Sequence, residues 1–285
     1  MPEVEGLVAF LRSRAVGRAV AAVEVGAIWA LKTFAPGPAD LVGRTVSGAA
    51  RHGKWIDVTA AGDDGELHLL VHLARAGWLR WYEKVPATPL RPGRSPIALR
   101  VRLDDGSGFD LTEAGTHKRL AVHVVARPEE VPAVATLGPE PLGLTAGQLG
   151  GLLRARNQQV KGALRDQSVI AGIGNAYSDE ILHAARMSPF ALTGSLGDGD
   201  IARLHAAMAQ VLAAAVDGAA GRPASELKDA KRSGMAVHGR AGQPCPVCGD
   251  TVQEVSFADS ALQYCPRCQT GGKILADRRM SRLLR

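Results

Sequence analysis

The sequence predicts an α+β protein: an N-terminal helix, an antiparallel β-rich region, a helical region and a small C-terminal cysteine hairpin. Three observations carry this. Apolar residues near the start recur at helical spacing, those between Val16 and Val125 fall in short strand-like runs, and all four cysteines lie between Cys245 and Cys268. With 285 residues, 46% hydrophobic and 22% charged, the chain can bury one or two full cores, and disorder is not its default. It contains no apolar run of about 18 residues, and the acidic opening Met1-Pro2-Glu3-Val4-Glu5 lacks a signal peptide's basic and apolar regions. A cytosolic protein without a membrane partner is expected. The net charge of +6 is compatible with a nucleic-acid partner but does not require one.

From Pro2 to Ala15, Val4, Leu7, Val8, Phe10 and Leu11 share helical spacing. Proline is tolerated in a first helical turn, and Glu3 and Glu5 complement the positive end of the helix dipole. The runs Trp55 to Val58, Leu67 to Leu73 and Leu99 to Leu103 read as strands, punctuated by Gly65, Asp104-Asp105-Gly106 and a proline-containing stretch from Pro86 to Pro96. Residues 1–127 therefore read as a helix with an antiparallel sandwich or barrel. Four prolines within 128–141 exclude a regular helix there and mark a linker. Thr145 caps a helix through Arg154, and helical patterns continue over Val160 to Asp166, Tyr177 to Arg186 and Asp198 to Asp217, giving a helical domain over 142–234. Residues 235–285 form the cysteine hairpin and a basic tail. From Arg222 onward eleven Lys and Arg face six Asp and Glu, so +5 of the +6 sits in the last 64 residues.

Cys245-Pro-Val-Cys248 and Cys265-Pro-Arg-Cys268 are two knuckles separated by 16 residues, the spacing of a four-thiolate tetrahedral zinc site. A redox pair is the rival for either knuckle, and the presence of two disfavours it. Four thiolates leave no open coordination position, so a single structural zinc is expected, closing a hairpin of Thr251 to Ser256 and Leu262 to Tyr264 too small for its own core. His238-Gly239-Arg240, Tyr264, Gln269, Lys273, Arg278, Arg279, Arg282 and Arg285 flank it. They suit a phosphate backbone, as they would a solvated basic tail.

Gly172-Ile173-Gly174-Asn175 puts two glycines in a turn ahead of a helix carrying Asp179 and Glu180. Backbone amides in such a turn can approach an anion, helped by the helix N-terminus. Taken alone it reads as a structural turn. The longer stretch from Lys161 to Leu182 resembles the helix-two-turn-helix signature of the formamidopyrimidine-DNA glycosylase and endonuclease VIII family. Other features align in family order: the Pro2-Glu3-Val4-Glu5 start, Arg51-His52-Gly53-Lys54 as the strand lysine motif, His72 to Gly77 as the void-filling loop, and the four-cysteine hairpin as the zinc finger.

The resemblance implies a helix with a β-sandwich, a helix-two-turn-helix domain and a zinc finger, binding double-stranded DNA that contains damaged bases or abasic sites. It implies base-excision repair by a monomer in the bacterial cytoplasm, associated with the nucleoid. Its chemistry is that of a DNA glycosylase and abasic-site lyase. A flipped nucleotide meets a secondary amine, Pro2 after removal of Met1, with Glu3 as the acid and Lys54 as a charged partner. DNA contacts fall on Arg75, Lys118 and Leu120 in the void-filling and wedge loops, on Lys161, Gly172, Gly174 and Asn175 at the helical turn, and on Arg240 and Lys273 beside the finger.

Three departures accompany this resemblance. In the void-filling loop Arg75 stands where relatives carry Met, and in the wedge loop Thr116-His117-Lys118-Arg119-Leu120 the residues Lys118 and Leu120 replace a more usual Arg-and-Phe pair. Relatives carry a first Pro-Glu and then a second Pro-Glu-Val-Glu, whereas the spacing from Pro2-Glu3 to Val16-Gly17-Arg18 matches the second, so an N-terminus shorter by three residues is expected. The finger's usual arginine is absent from Ser256-Phe257-Ala258-Asp259-Ser260-Ala261, so phosphate clamping is expected to be weaker or to be supplied by Arg240 or Lys273. An alternative function follows, a catalytically impaired member that still binds damaged DNA. A ribosome- or transcription-associated zinc ribbon would explain the hairpin alone, leaving Lys161 to Glu180 and Arg51 to Lys54 without a role.

Overall fold

Helix α1 (Pro2–Ala15) forms on the apolar spacing read above and buries Val4, Leu7, Val8, Leu11 and Ala15. In the computed structural model, which describes every residue except 92, 94, 95, 115, 116, 258, 259 and 277–285, the chain divides into two units. Thr116 of the wedge loop, Ala258 and Asp259 of the finger, and the tail residues Arg278, Arg279, Arg282 and Arg285 lie outside the described residues.

The first unit comprises Met1–Thr136 with Ala219–Lys228. Its strands are β1 (Val20–Val25), β2 (Thr45–His52), β3 (Trp55–Gly62), β4 (Gly65–His72), β5 (Gly77–Tyr82), β6 (Ile97–Leu103), β7 (Gly108–Glu113) and β8 (Ala121–Val125). They form two antiparallel sheets, ordered β1-β6-β7-β5 and β2-β3-β4-β8. Strand alternation sends Ile56, Val58, Val71, Val122 and Val124 of one sheet and Leu79, Leu99, Val101, Phe109 and Leu111 of the other into one shared core, which makes the unit a sandwich. Ala219, Ala224 and Leu227 join that core.

Two buried carboxylates, Asp110 and Asp57, are paired within the sheets. Arg100 and Asp110, paired across β6 and β7, form a two-pronged bridge at 2.7 and 2.9 Å. On the other sheet the buried Asp57 carboxylate meets His52 Nε2 at 3.0 Å and His68 Nδ1 at 2.9 Å. The expected linker contains one helical turn, α2 (Pro132–Ala135), with Pro132 at its start, where a missing N–H costs nothing.

The second unit comprises Leu137–Gly218 and the residues from Asp229 onward. Its elements are α3 (Ala146–Arg154), α4 (Val160–Arg165), α5 (Asn175–Ala184), the hairpin strands β9 (Gln253–Ser256) and β10 (Ala261–Tyr264), and a last turn α8 (Pro266–Gln269). Helices α6 (Asp198–Ala219) and α7 (Leu227–Ser233) are the remaining α-helices among the described residues. Thr145 caps α3 reciprocally: its hydroxyl accepts from the Gln148 N–H at 3.2 Å, and the Gln148 side chain accepts from the Thr145 N–H at 2.9 Å. Among the described residues no helix is long and apolar enough to cross a membrane.

Candidate nucleic-acid interface and metal centre

In the first unit Pro2 is the first residue of α1 and is buried, and Glu3 Oε2 lies 3.9 Å from the Met1 ammonium. Glu5 accepts from Arg51 Nε at 2.7 Å, which ties the first turn of α1 to β2. Lys54 follows Gly53 in the two-residue turn between β2 and β3, and Gly53 at φ +57° takes the left-handed conformation that such a turn requires. Burial, then the positive charge of Lys54, push the His72 imidazole down to about 4, so it is neutral at pH 7. Arg75 is exposed in the turn between β4 and β5, which the Gly77 N–H closes onto the Leu73 carbonyl at 2.9 Å. A Cβ on Gly77 would lie 2.1 Å from that oxygen, so glycine alone fits.

The buried Glu113 carboxylate accepts from the N–H groups of Arg119 at 2.9 Å and Leu120 at 3.1 Å, and Lys118 Nζ donates to the Glu113 carbonyl. Lys118 itself is exposed. Leu120, expected at the DNA, is instead fully buried in the sandwich core. The alternation of Leu120, Val122 and Val124 is the signal that places all three on the inner face.

In the second unit Gln167 organises the glycine turn: its Oε1 accepts from the Gly172 N–H and its Nε2 donates to the Ile173 carbonyl, both at 2.9 Å. The Gly172 amide, expected to meet a phosphate, is therefore already used, while Gly174 precedes α5 as its cap. Asn175 Nδ2 donates to the Ala261 carbonyl at 2.7 Å, joining α5 to the cysteine hairpin, and its Oδ1 is buried without a hydrogen-bond partner. Lys161, also expected at the DNA, is 5% exposed and binds Asp179 Oδ1 at 2.5 Å and Ser178 Oγ at 2.8 Å. Its pKa falls below the ordinary lysine value because burial outweighs the pull of Asp179. It is an internal strut and not a surface cation.

The same helix holds a strap. The other oxygen of Asp179 meets His238 Nδ1 at 2.8 Å, and Glu180 accepts the N–H groups of Ala236, Val237 and His238 at 2.7, 2.9 and 2.8 Å. His238 and Arg240 thereby join Lys231 and Arg232 in lining a cleft of about 620 Å³. Lys273 is exposed. Sequence reasoning noted Asp179 and Glu180 without a role and missed Lys231 and Arg232. Only their place in a basic stretch pointed to the latter.

The four cysteine sulfurs all lie within 4.8 Å of one another, with Cys245 and Cys268 3.9 Å apart and Cys248 and Cys265 3.3 Å apart. A zinc–sulfur bond of about 2.3 Å gives a tetrahedral edge of about 3.8 Å, so the residues fit a zinc ion. Burial pushes the Cys265 thiol up to about 11 and raises Cys268 as well, whereas backbone hydrogen bonding from Asp250 is the main cause lowering Cys248 to about 7. Sulfurs this close can all be thiolates only around a cation. His183, which sequence reasoning did not single out, reaches Cys245 Sγ with Nε2 at 3.3 Å.

Three family profiles match the chain: "Formamidopyrimidine-DNA glycosylase N-terminal domain" over residues 1–119, "Formamidopyrimidine-DNA glycosylase H2TH domain" over 137–225, and "Zinc finger found in FPG and IleRS" over 242–271. A formamidopyrimidine-DNA glycosylase of Symbiobacterium thermophilum is 34% identical over 283 residues, covering 94% of this chain and 88% of that one. An "Uncharacterized formamidopyrimidine-DNA glycosylase-like protein" of Mycobacterium tuberculosis is 58% identical over 154 residues, 54% of this chain and 98% of that one. The structure is similar to Lactococcus lactis Fpg complexed with abasic-site DNA, with a TM-score of 0.82 at 25% identity over 95% of this chain and 99% of that one. The chain belongs to the formamidopyrimidine-DNA glycosylase family.

Proposed function

We propose that this chain binds double-stranded DNA containing a damaged base or abasic site and acts there as a glycosylase and abasic-site lyase. The observation that carries the reading is the basic cleft lined by Lys231 and Arg232 of α7 together with His238 and Arg240, the strap Ala236 to His238 being held by Asp179 and Glu180. A backbone segment fixed by buried acceptors suits phosphates, since the position of the side chains it carries, His238 and the neighbouring Arg240, is set before the DNA arrives. The Lactococcus lactis relative solved with abasic-site DNA supports the same partner. Lys54, Arg75, Lys118 and Lys273 are further proposed phosphate or groove contacts. Gly172, Gly174 and Asn175 would act by shaping the turn that carries α5. One zinc on Cys245, Cys248, Cys265 and Cys268 would hold the hairpin.

For the chemistry, a Pro2 freed of Met1 has a secondary amine whose lone pair attacks C1′ of the extruded nucleotide. The base leaves with the C1′–N electron pair and takes up a proton, and the amine gives up its own; the proline nitrogen lone pair then breaks the C1′–O4′ bond, O4′ is protonated, and the ring-opened iminium loses its C2′ proton to expel the 3′ phosphate. Glu3 would pass the protons and Lys54 would hold the flanking charge. The burial of Pro2 favours a second reading, a binder of damaged DNA without turnover. Borohydride trapping on an abasic-site duplex separates the two. A covalent adduct lost on Pro2→Gly supports the lyase; tight, salt-sensitive binding with no adduct supports the binder.

A further inference from the structure

Helix α5 reaches the cysteine cluster through a side chain that the reading above leaves unused. His183, in its last turn, is 5% exposed, and its Nε2 lies 3.3 Å from Cys245 Sγ, itself 3% exposed. An unprotonated ring nitrogen at that distance would set its lone pair against a thiolate, so Cys245 selects the tautomer with hydrogen on Nε2. We propose that His183 is an outer-sphere positioning residue of the metal centre, its Nε2–H donating to the Cys245 thiolate and fixing that ligand's orientation.

Other ties between this helical segment and the hairpin end on backbone atoms. Asn175 donates to the Ala261 carbonyl at 2.7 Å, and Gln269, which accepts from the Cys265 N–H, donates to the Met187 carbonyl at 2.9 Å. These seat the hairpin but leave the sulfur charge untouched. Four thiolates around one divalent cation carry an excess of two negative charges, and each N–H donor withdraws part of it; the Asp250 backbone does so at Cys248, and Cys245 takes a side-chain donor. His183 supplies that donor from 62 positions before Cys245. The metal site is thereby completed by the helix that also holds the basic strap through Asp179 and Glu180.

The inference rests on reading the four cysteines as a metal centre, and the test separates the two. The full-length protein is loaded with cobalt in place of zinc, and the wild-type spectrum and stoichiometry first report whether a tetrahedral thiolate site exists. In His183→Phe, loss of the N–H···S bond should shift the sulfur-to-cobalt charge-transfer band to lower energy, and zinc affinity in a chelator competition should fall about 10- to 100-fold. His183→Gln, whose carboxamide keeps an N–H donor, should reverse much of both changes. If His183→Phe does not fold, His183→Ala carries the same comparison. An unshifted band with wild-type affinity overturns the proposal, as does a shift that His183→Gln leaves intact, because packing and not the donor would then be responsible. A wild-type protein that takes up neither metal removes the centre itself, and the role of His183 with it.

Discussion

Asp179→Asn should be the most damaging single substitution of a polar residue in the second unit. Its carboxylate is fully buried and satisfies both Lys161 and His238, and the Lys161 side chain is only 6% exposed. An asparagine keeps the shape but withdraws the charge, leaving a buried ammonium opposite a neutral amide. Breaking a buried pair from one side costs about 3–5 kcal/mol. At about 2–4 °C per kcal/mol for a domain of this size, melting should fall by about 10 °C. The pH dependence has a definite sign. Lys161 already holds its proton less tightly folded than unfolded, so it costs stability below the ordinary lysine value and costs nothing above it. Asparagine removes the two influences of Asp179 that raise the folded value, which widens the costly window downward. The deficit against wild type, measured by urea unfolding at pH 7, 8.5 and 10, should therefore shrink as pH rises. Lys161→Met in the same background should recover most of it, because an apolar replacement leaves no unpaired charge. A deficit under about 1 kcal/mol, or one unchanged by pH and by Lys161→Met, would refute the argument.

Three further outcomes are expected. Gly77→Ala puts a methyl 2.1 Å from the Leu73 carbonyl, so the turn carrying Arg75 must open, at a cost of about 1–3 kcal/mol in denaturant unfolding. Glu180→Gln leaves one acceptor oxygen for three N–H groups, and bonds to a charged acceptor contribute about 1.5–3 kcal/mol each, so amide exchange at Ala236, Val237 and His238 should accelerate tenfold or more. Metal analysis should return about one zinc per chain, and Cys265→Ser should lower it by more than half while unfolding the cluster of Val237 and Val252 that packs on the cysteines.

The parts of this protein legible in its sequence are those whose cause is local. Strand alternation, the Thr145 cap and the paired knuckles each lie within a short window, and the four sulfurs do meet. What the sequence hides are the side chains whose partners lie far along the chain. Lys161 carries a charge that suits a phosphate, yet its partners stand 17 and 18 residues on, and only folding α4 against α5 reveals that the charge is spent internally. Asn175 looked like an anion ligand at a helix start, but its amide meets a carbonyl 86 residues away. Leu120 is a different case: its two-residue period with Val122 and Val124 is local and by itself places the side chain on the inner face, against the resemblance.

On the proposed function, DNA recognition in the second unit moves away from the glycine turn. With Lys161 inside, the Gly172 amide engaged and Asn175 turned to the hairpin, the helical turn offers shape more than charge. Positive charge is concentrated instead on the strap and its neighbours, at Lys231, Arg232 and Arg240, beside a histidine braced by a buried carboxylate. The strap is anchored on the acidic pair of α5, and the same helix touches the metal cluster through His183. A perturbation of the cysteines should therefore reach the cationic cleft through α5, although no cysteine lines it. The glycine turn then acts by setting the start of α5, and α5 is the element that holds a basic stretch of sequence in place through Asp179 and Glu180.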